Sequence, residues 1–315
     1  VLKPITLSEF LLSDLGNFLR KFNECFSQGT RFILRAKKFN LVHTTFLRLL
    51  FKGNRKSIVL AVFLLLASQV SLSESHRWWS LDYLAQSFAE IALKTEYGVK
   101  EKTISKWVGP IAFYYDHQVE DQKLHEYLTG LHLRHLTAIT GIAFVPVDKK
   151  EKADLIILFT QEKFIRSTLQ QYMGRNSMQL VNHLTRNSVC VAHIKTTKGG
   201  AIKAARVLIP VDRARSHAKL VSCIVEELTQ IMGLLNDADT VYPSIFNDKT
   251  YNELLTGLDY ILLRVLYDDR VKVGMKADEV MPVVHTIIKE YQHRGVIHNA
   301  VDEVTKGQLY SVLED

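Results

Sequence analysis

A chain of 315 residues with 47% hydrophobic and 10% aromatic side chains carries enough apolar material for a real core, which excludes a disordered or fibrous protein. Its net charge of +7 would point to nucleic acid or an anionic membrane if it were spread over the chain, but it is concentrated at one end. Residues 1–56 hold eleven basic side chains against three acidic ones, and the rest, with 29 basic and 30 acidic, offers no basic stripe for a phosphate backbone, so no nucleic-acid partner is expected.

Lys52, Arg55 and Lys56 precede the unbroken apolar run Ile58 to Ala67, and the small and polar residues Ser68 to Ser73 follow it. This order predicts a signal peptide over 51–73 and an exported protein, periplasmic or extracellular. The run is about half of the roughly 20 residues that span a bilayer as a helix, so membrane contact is expected only through this segment, with an uncleaved anchor as the alternative. Residues 1–50 read as a basic leader of doubtful status: no methionine precedes Met173, and translation is expected to start near Leu50 or Phe51. The alternative is a basic amphipathic arm on the cytoplasmic membrane face. Cys25 lies in the leader, which leaves Cys190 and Cys223 as an even pair in an exported chain; a disulfide between them is expected, two separate buried thiols being the alternative.

Downstream, Ser80 in cap position ahead of Leu81, Leu84, Phe88, Ile91 and Ala92 predicts a helix over 80–94, in an N-terminal segment 74–99. Ile104 to Tyr115 turns aromatic and β-branched around Gly109-Pro110, which predicts an edge or irregular strand. Helical spacing returns over 121–139 and stops at Gly141. Strands are expected over 142–147 and 155–159, helix in part of 161–186, and a strand pair, 190–195 with 202–211, around Lys198-Gly-Gly200. Ser216 is expected to open the next helix, a further helix to run from Asn252 to Asp269, and a last one to cover 278–291 despite Pro282. The fold class is α+β: a mixed twisted sheet packed on helices over 100–276, then a mainly helical part over 277–315.

The densest motif is Cys223-Ile-Val-Glu-Glu-Leu-Thr-Gln-Ile-Met-Gly-Leu-Leu-Asn-Asp237. Set against the zinc-protease pattern H-E-x-x-H-x-x-G-x-x-H, it keeps the general-base glutamate at Glu227 and the turn glycine at Gly233, and has Glu226, Gln230 and Asn236 at the three histidine positions. In a working site two ligands four apart share a helix face, the glutamate activates a metal-bound water, and the glycine turns the chain back with the third ligand. A glutamate with two neutral amides suits calcium, magnesium or nothing, so zinc is not expected. Without a metal the same residues read as an amphipathic helix, with Ile224, Leu228 and Ile231 in the core and Glu226, Glu227 and Gln230 in a polar groove.

The motif, followed by Tyr242-Pro-Ser-Ile-Phe-Asn-Asp248 and Leu255-Thr-Gly-Leu-Asp-Tyr-Ile-Leu-Leu-Arg264, resembles a family of uncharacterised exported bacterial proteins, a domain of unknown function, over roughly 100–276. It also resembles the metzincin branch of the zincins, with Ser244-Ile-Phe246 where those proteases place S-x-M in a turn under the metal. The resemblance implies a zincin-like fold with Glu227 as a vestigial general base, and brings no established activity.

Two function classes remain open. One is a catalytically degenerate binding or scaffold module for a peptide, a protein or a cell-envelope component, using Gln230, Asn236 and Asp237. The other is a hydrolase that uses Glu226 and Glu227 as acid and base, or a metal held by oxygens. In either case Gln230 should share a helix face with Glu226 beneath a groove bordered by the 190–196 strand, and the disulfide should tie that strand to the start of the motif helix. Asn236, Asp237, Asp239, Asn247 and Asp248 gather oxygens that suit calcium or Asx turns. His125, His132 and His135 fall on or near the polar flank of their helix, with metal ligation as the alternative; His193 and His217 read as structural.

Overall fold

Six consecutive buried positions run along Leu155–Thr160, and a strand buried on both faces has to lie inside a sheet covered on both sides. The computed structural model describes residues 77–94, 103–174, 177–249 and 252–314, so the leader and the signal segment expected over 1–50 and 51–73 lie outside the described residues. In chain order the elements are α1 (Leu81–Leu93), β1 (Ile111–His117), α2 (Gln122–Thr140), β2 (Phe144–Pro146), β3 (Leu155–Thr160), α3 (Ile165–Met173), α4 (Met178–Asn187), β4 (Val191–Thr196) and β5 (Ile202–Pro210). There follow α5 (Val211–Ser216), α6 (Leu220–Gln230), α7 (Gly257–Leu266), α8 (Ala277–His293), α9 (Ala300–Val304) and α10 (Gln308–Glu314). The five strands form one mixed sheet in the order β2-β1-β3-β5-β4, parallel except for β4, which runs antiparallel to β5 at the edge.

The two sheet faces bury different partners. Leu155, Ile157, Phe159, Ala205, Val207 and Ile209 join the main core with α1, α2, α6, α7 and α8. Leu158, Val191 and Leu208 on the other face pack with Ile165, Leu169, Val181 and Leu184 of α3 and α4. No helix of the described residues is long and apolar enough to cross a membrane.

Local signals account for many of the element ends. Ser80 Oγ accepts from the Tyr83 amide at 3.3 Å, and Gly141 closes α2 at φ +76°, where its amide donates to the Thr137 carbonyl. Three expectations are corrected. β1 is an interior strand, because Pro110 stands just before the ladder, where its missing N–H removes no sheet bond. Ser216 closes α5 by donating to the Arg213 carbonyl; Ala218 at φ +54° turns the corner, and α6 starts at Leu220. α7 starts at Gly257 because Thr256 and Asp259 form a capping box there.

The α2 histidines are also corrected. His125 and His132 are buried, since His125 packs against the sheet at Phe159 and His132 faces α6 at Thr229. The His125 ring stacks on Phe159 with centroids 4.6 Å apart. Thr229 Oγ1 donates to the Val225 carbonyl at 2.6 Å and so accepts at 3.0 Å from His132 Nε2–H, a bond that joins α2 to α6. Burial pushes His132 from 6.5 down to about 3, helped by the neighbouring His135, which burial itself holds at about 4.

Both imidazoles therefore stay neutral in the fold, whereas the unfolded chain protonates them below about 6.5. Their contribution is complete above that pH and is lost as pH falls from 6.5 towards 4, by about 1.4 kcal/mol per pH unit for each ring. Urea unfolding between pH 7.5 and 4.5 checks this: His132→Asn should lower stability at pH 7.5 and flatten the acid slope by roughly that amount per unit. An unchanged slope would show that His132 does not resist protonation.

Candidate functional site

The α6 helix is amphipathic at single-residue resolution. Ile224, Leu228 and Ile231 are fully buried, while Glu226 and Gln230, one turn apart, face a cavity of about 560 Å³ with Glu227 beside them. Glu227 is nearly buried, at 5% exposure. The opposite wall is β4, through Val191, Ala192, His193 and Ile194, so Gln230 and Glu226 do lie beneath a groove bordered by the edge strand.

A disulfide sets the distance between these walls. Cys190, just before β4, is bonded to Cys223 in the first turn of α6, with Cα atoms 5.9 Å apart. The bridge closes a segment with a sequence separation of 33, which the chain-entropy estimate values at about 3–4 kcal/mol.

Beyond α6 the chain turns at Gly233, φ +115°. The Ser105 carbonyl oxygen stands 2.0 Å from where a Cβ would sit, so both the backbone angle and the close approach require glycine. Gly233→Ala should lower stability by about 3 kcal/mol or more, read as a fall in the urea midpoint at unchanged slope. A loss within about 0.5 kcal/mol, the usual range for surface changes, would contradict the packing of this turn.

Past the turn, the structure separates two residues that the spacing had grouped. The Leu235 and Asn236 amides both donate to the Ile91 carbonyl, and Asn236 Nδ2 donates to the Glu90 carbonyl at 3.0 Å, which turns Asn236 onto α1 and away from the cavity. Asp237 lines the cavity instead, its Oδ1 accepting from Gln230 Nε2 at 2.9 Å. Glu226, Glu227, Gln230, Asp237 and the Cys190–Cys223 bridge are thus brought together, and Asn236 is not.

The following turn uses most of the oxygens that suggested calcium. Asn247 Nδ2 donates to the Asp239 and Val241 carbonyls, Asn247 Oδ1 accepts from the Lys249 amide in an Asx turn, and Asp239 pairs with Lys249 at 2.6 Å. Ser244 and Phe246 are buried, and the Tyr242–Pro243 peptide bond is cis. Among the described residues no group of three or more His, Cys, Asp or Glu side chains converges as a metal site. A carboxylate beside an amide is a poor zinc donor set, so the residues present do not fit the metal that the motif spacing implies.

His183 on α4, His193, Lys219 and Asp248 also line the cavity. Sequence reading expected the strand that carries His193 to border the groove, but gave His193 itself no role there and did not place His183, Lys219 or Asp248 in it. The usable signals were the edge position expected for His193 and the position of Lys219 just ahead of the motif helix. Burial first, then the charges of Lys195 and Arg206, hold His193 below its ordinary value.

The family described as protein of unknown function (DUF2927) matches residues 81–286. The chain is a DUF2927 protein. No curated protein and no solved structure matches it. The DUF2927 span is wider than the 100–276 read from the motif words. It takes in α1, whose Glu90 and Ile91 carbonyls hold the chain after Gly233, and runs into α8.

Proposed function

We propose that this DUF2927 protein is an exported, catalytically degenerate relative of the zincin proteases that binds an extended peptide or protein segment, or a cell-envelope component, between α6 and β4. One observation carries the reading. The residues at the positions of a zinc-protease helix line a cavity next to an edge strand, while their donors are those of a polar groove and not of a metal site. An edge strand has unpaired backbone groups on its outer side, which an extended segment satisfies by β-addition. Glu226, Glu227, Asp237 and Asp248 outnumber Lys219 along the cavity, so the preferred segment carries a basic side chain. The disulfide suits an oxidising compartment, which supports export.

The hydrolase alternative is weaker. Neighbouring helix residues point about 100° apart, so Glu226 and Glu227 do not face one substrate atom as acid and base. A carboxylate beside neutral amides is a poor zinc donor set, so Glu227 is not expected to meet a water whose pKa a metal has lowered from about 15.7 towards 7.

The test is elemental analysis and a peptidase assay on protein exported natively and purified without a histidine tag. Zinc should stay far below one equivalent, peptides should remain intact, and Glu227→Gln should leave folding nearly unchanged. Zinc near one equivalent, lost together with hydrolysis on chelation, would overturn the proposal.

A further inference from the structure

On the sheet face opposite α6, a second hollow of about 390 Å³ lies over β3, β5 and β4 and is closed by Thr168, Gln171 and Tyr172 of α3. Strand register decides what lines it. Arg206 stands opposite Ile156 on β3 and His193 on β4, and Lys195 stands opposite Ala204, so alternation points these side chains to the α3 side together with Leu208. Arg206 is half-buried. Its Nη1 donates to the Asp154 and Ala205 carbonyls at 3.1 and 2.6 Å, which fixes the guanidinium above the sheet. Among the described residues no carboxylate lies within ion-pair distance of Arg206 or Lys195. Asp116 is the acidic residue of the hollow, and Lys150 already pairs with it.

A guanidinium fixed by backbone carbonyls, held in a concave site with an ammonium and without a counter-charge, is an arrangement that a compact anion completes. We propose that this hollow binds a small ligand bearing a phosphate or carboxylate group, gripped by the Arg206 guanidinium and the Lys195 ammonium. The volume lies in the range of small-molecule sites, about 300–1,000 Å³, and suits a ligand of sugar-phosphate or acidic-dipeptide size. Burial, with the Asp116 charge, raises the Tyr172 hydroxyl above its ordinary value despite Arg206, so it stays protonated and able to donate beside the cations. The positive field that depresses His193 has the same two sources, Lys195 and Arg206. This inference does not rest on the α6 groove and stands or falls without it.

Calorimetric titration of the folded protein at low ionic strength, with inorganic phosphate and separately with citrate, tests the site. At least one anion should bind saturably at one site, about tenfold more weakly in Arg206→Gln and in Lys195→Gln. Lys203→Gln, which removes the same charge from an exposed β5 position of opposite alternation, should leave the affinity unchanged. A preference for phosphate assigns a phosphate monoester and a preference for citrate assigns a carboxylate; both support the site. Should Arg206→Gln fail to fold, the exposed Lys195→Gln decides alone. Absence of saturable binding of either anion, or equal weakening by Lys203→Gln and Lys195→Gln, would overturn it.

Discussion

A carboxylate removed from water has to be met by hydrogen-bond donors, and the part of this fold that carries the site is organised by one that is. Asp259 is fully buried at the start of α7 and accepts from the Ser244 hydroxyl at 2.6 Å, the Ile245 amide at 3.1 Å, and the amide and hydroxyl of Thr256 at 2.8 and 2.9 Å. Burial pushes its pKa up to about 6 and the donors pull against that shift, so the group is ionised at neutral pH. One side chain therefore caps α7 and pins the turn that places Ser244 and Phe246 in the core.

The cavity depends on that turn because its floor cannot be held by α6 alone. α6 ends at Gln230, and the chain then needs Gly233 to pass under Ser105, the α1 carbonyls to anchor residues 235 and 236, and the Ala238 amide to reach the Phe246 carbonyl. Tyr83 ties α1 to the same turn, its hydroxyl donating to the Tyr242 carbonyl at 2.8 Å and accepting from the Tyr242 amide at 2.7 Å. Opposite, the Cys190–Cys223 bridge holds the edge strand at a fixed distance from the helix. The width of the groove is thus set by contacts whose partners lie far apart in sequence.

That distinction separates what could be read in the sequence from what could not. Helical spacing and short-range caps disclosed α1 behind Ser80, α2 up to Gly141, the β4–β5 pair and the polar face of Glu226 and Gln230, because each is decided within a few residues. The disulfide followed from cysteine parity together with the expectation of export. The direction of Asn236 was hidden, since it depends on a carbonyl 146 residues away. The burial of His125 and His132 was hidden too, because what covers them, Phe159 of β3 and Thr229 of α6, comes from elements distant in sequence. An arginine such as Arg206 carries no local mark, and its isolation from carboxylates exists only in the assembled sheet.

We propose that the DUF2927 chain keeps the geometry of a metal-binding helix and turn with changed donors, and that Asp237, not Asn236, stands in the third place. Two histidines and one carboxylate are an ordinary zinc donor set, so Glu226→His with Gln230→His would complete one if Asp237 is where the structure has it. Zinc titration of that double variant, alongside the parent chain, is the most direct test. One tightly bound, chelator-sensitive zinc is expected in the double variant, none in the parent, and loss of the gained site when Asp237→Ala is added. A double variant that folds and binds no stoichiometric zinc would contradict it.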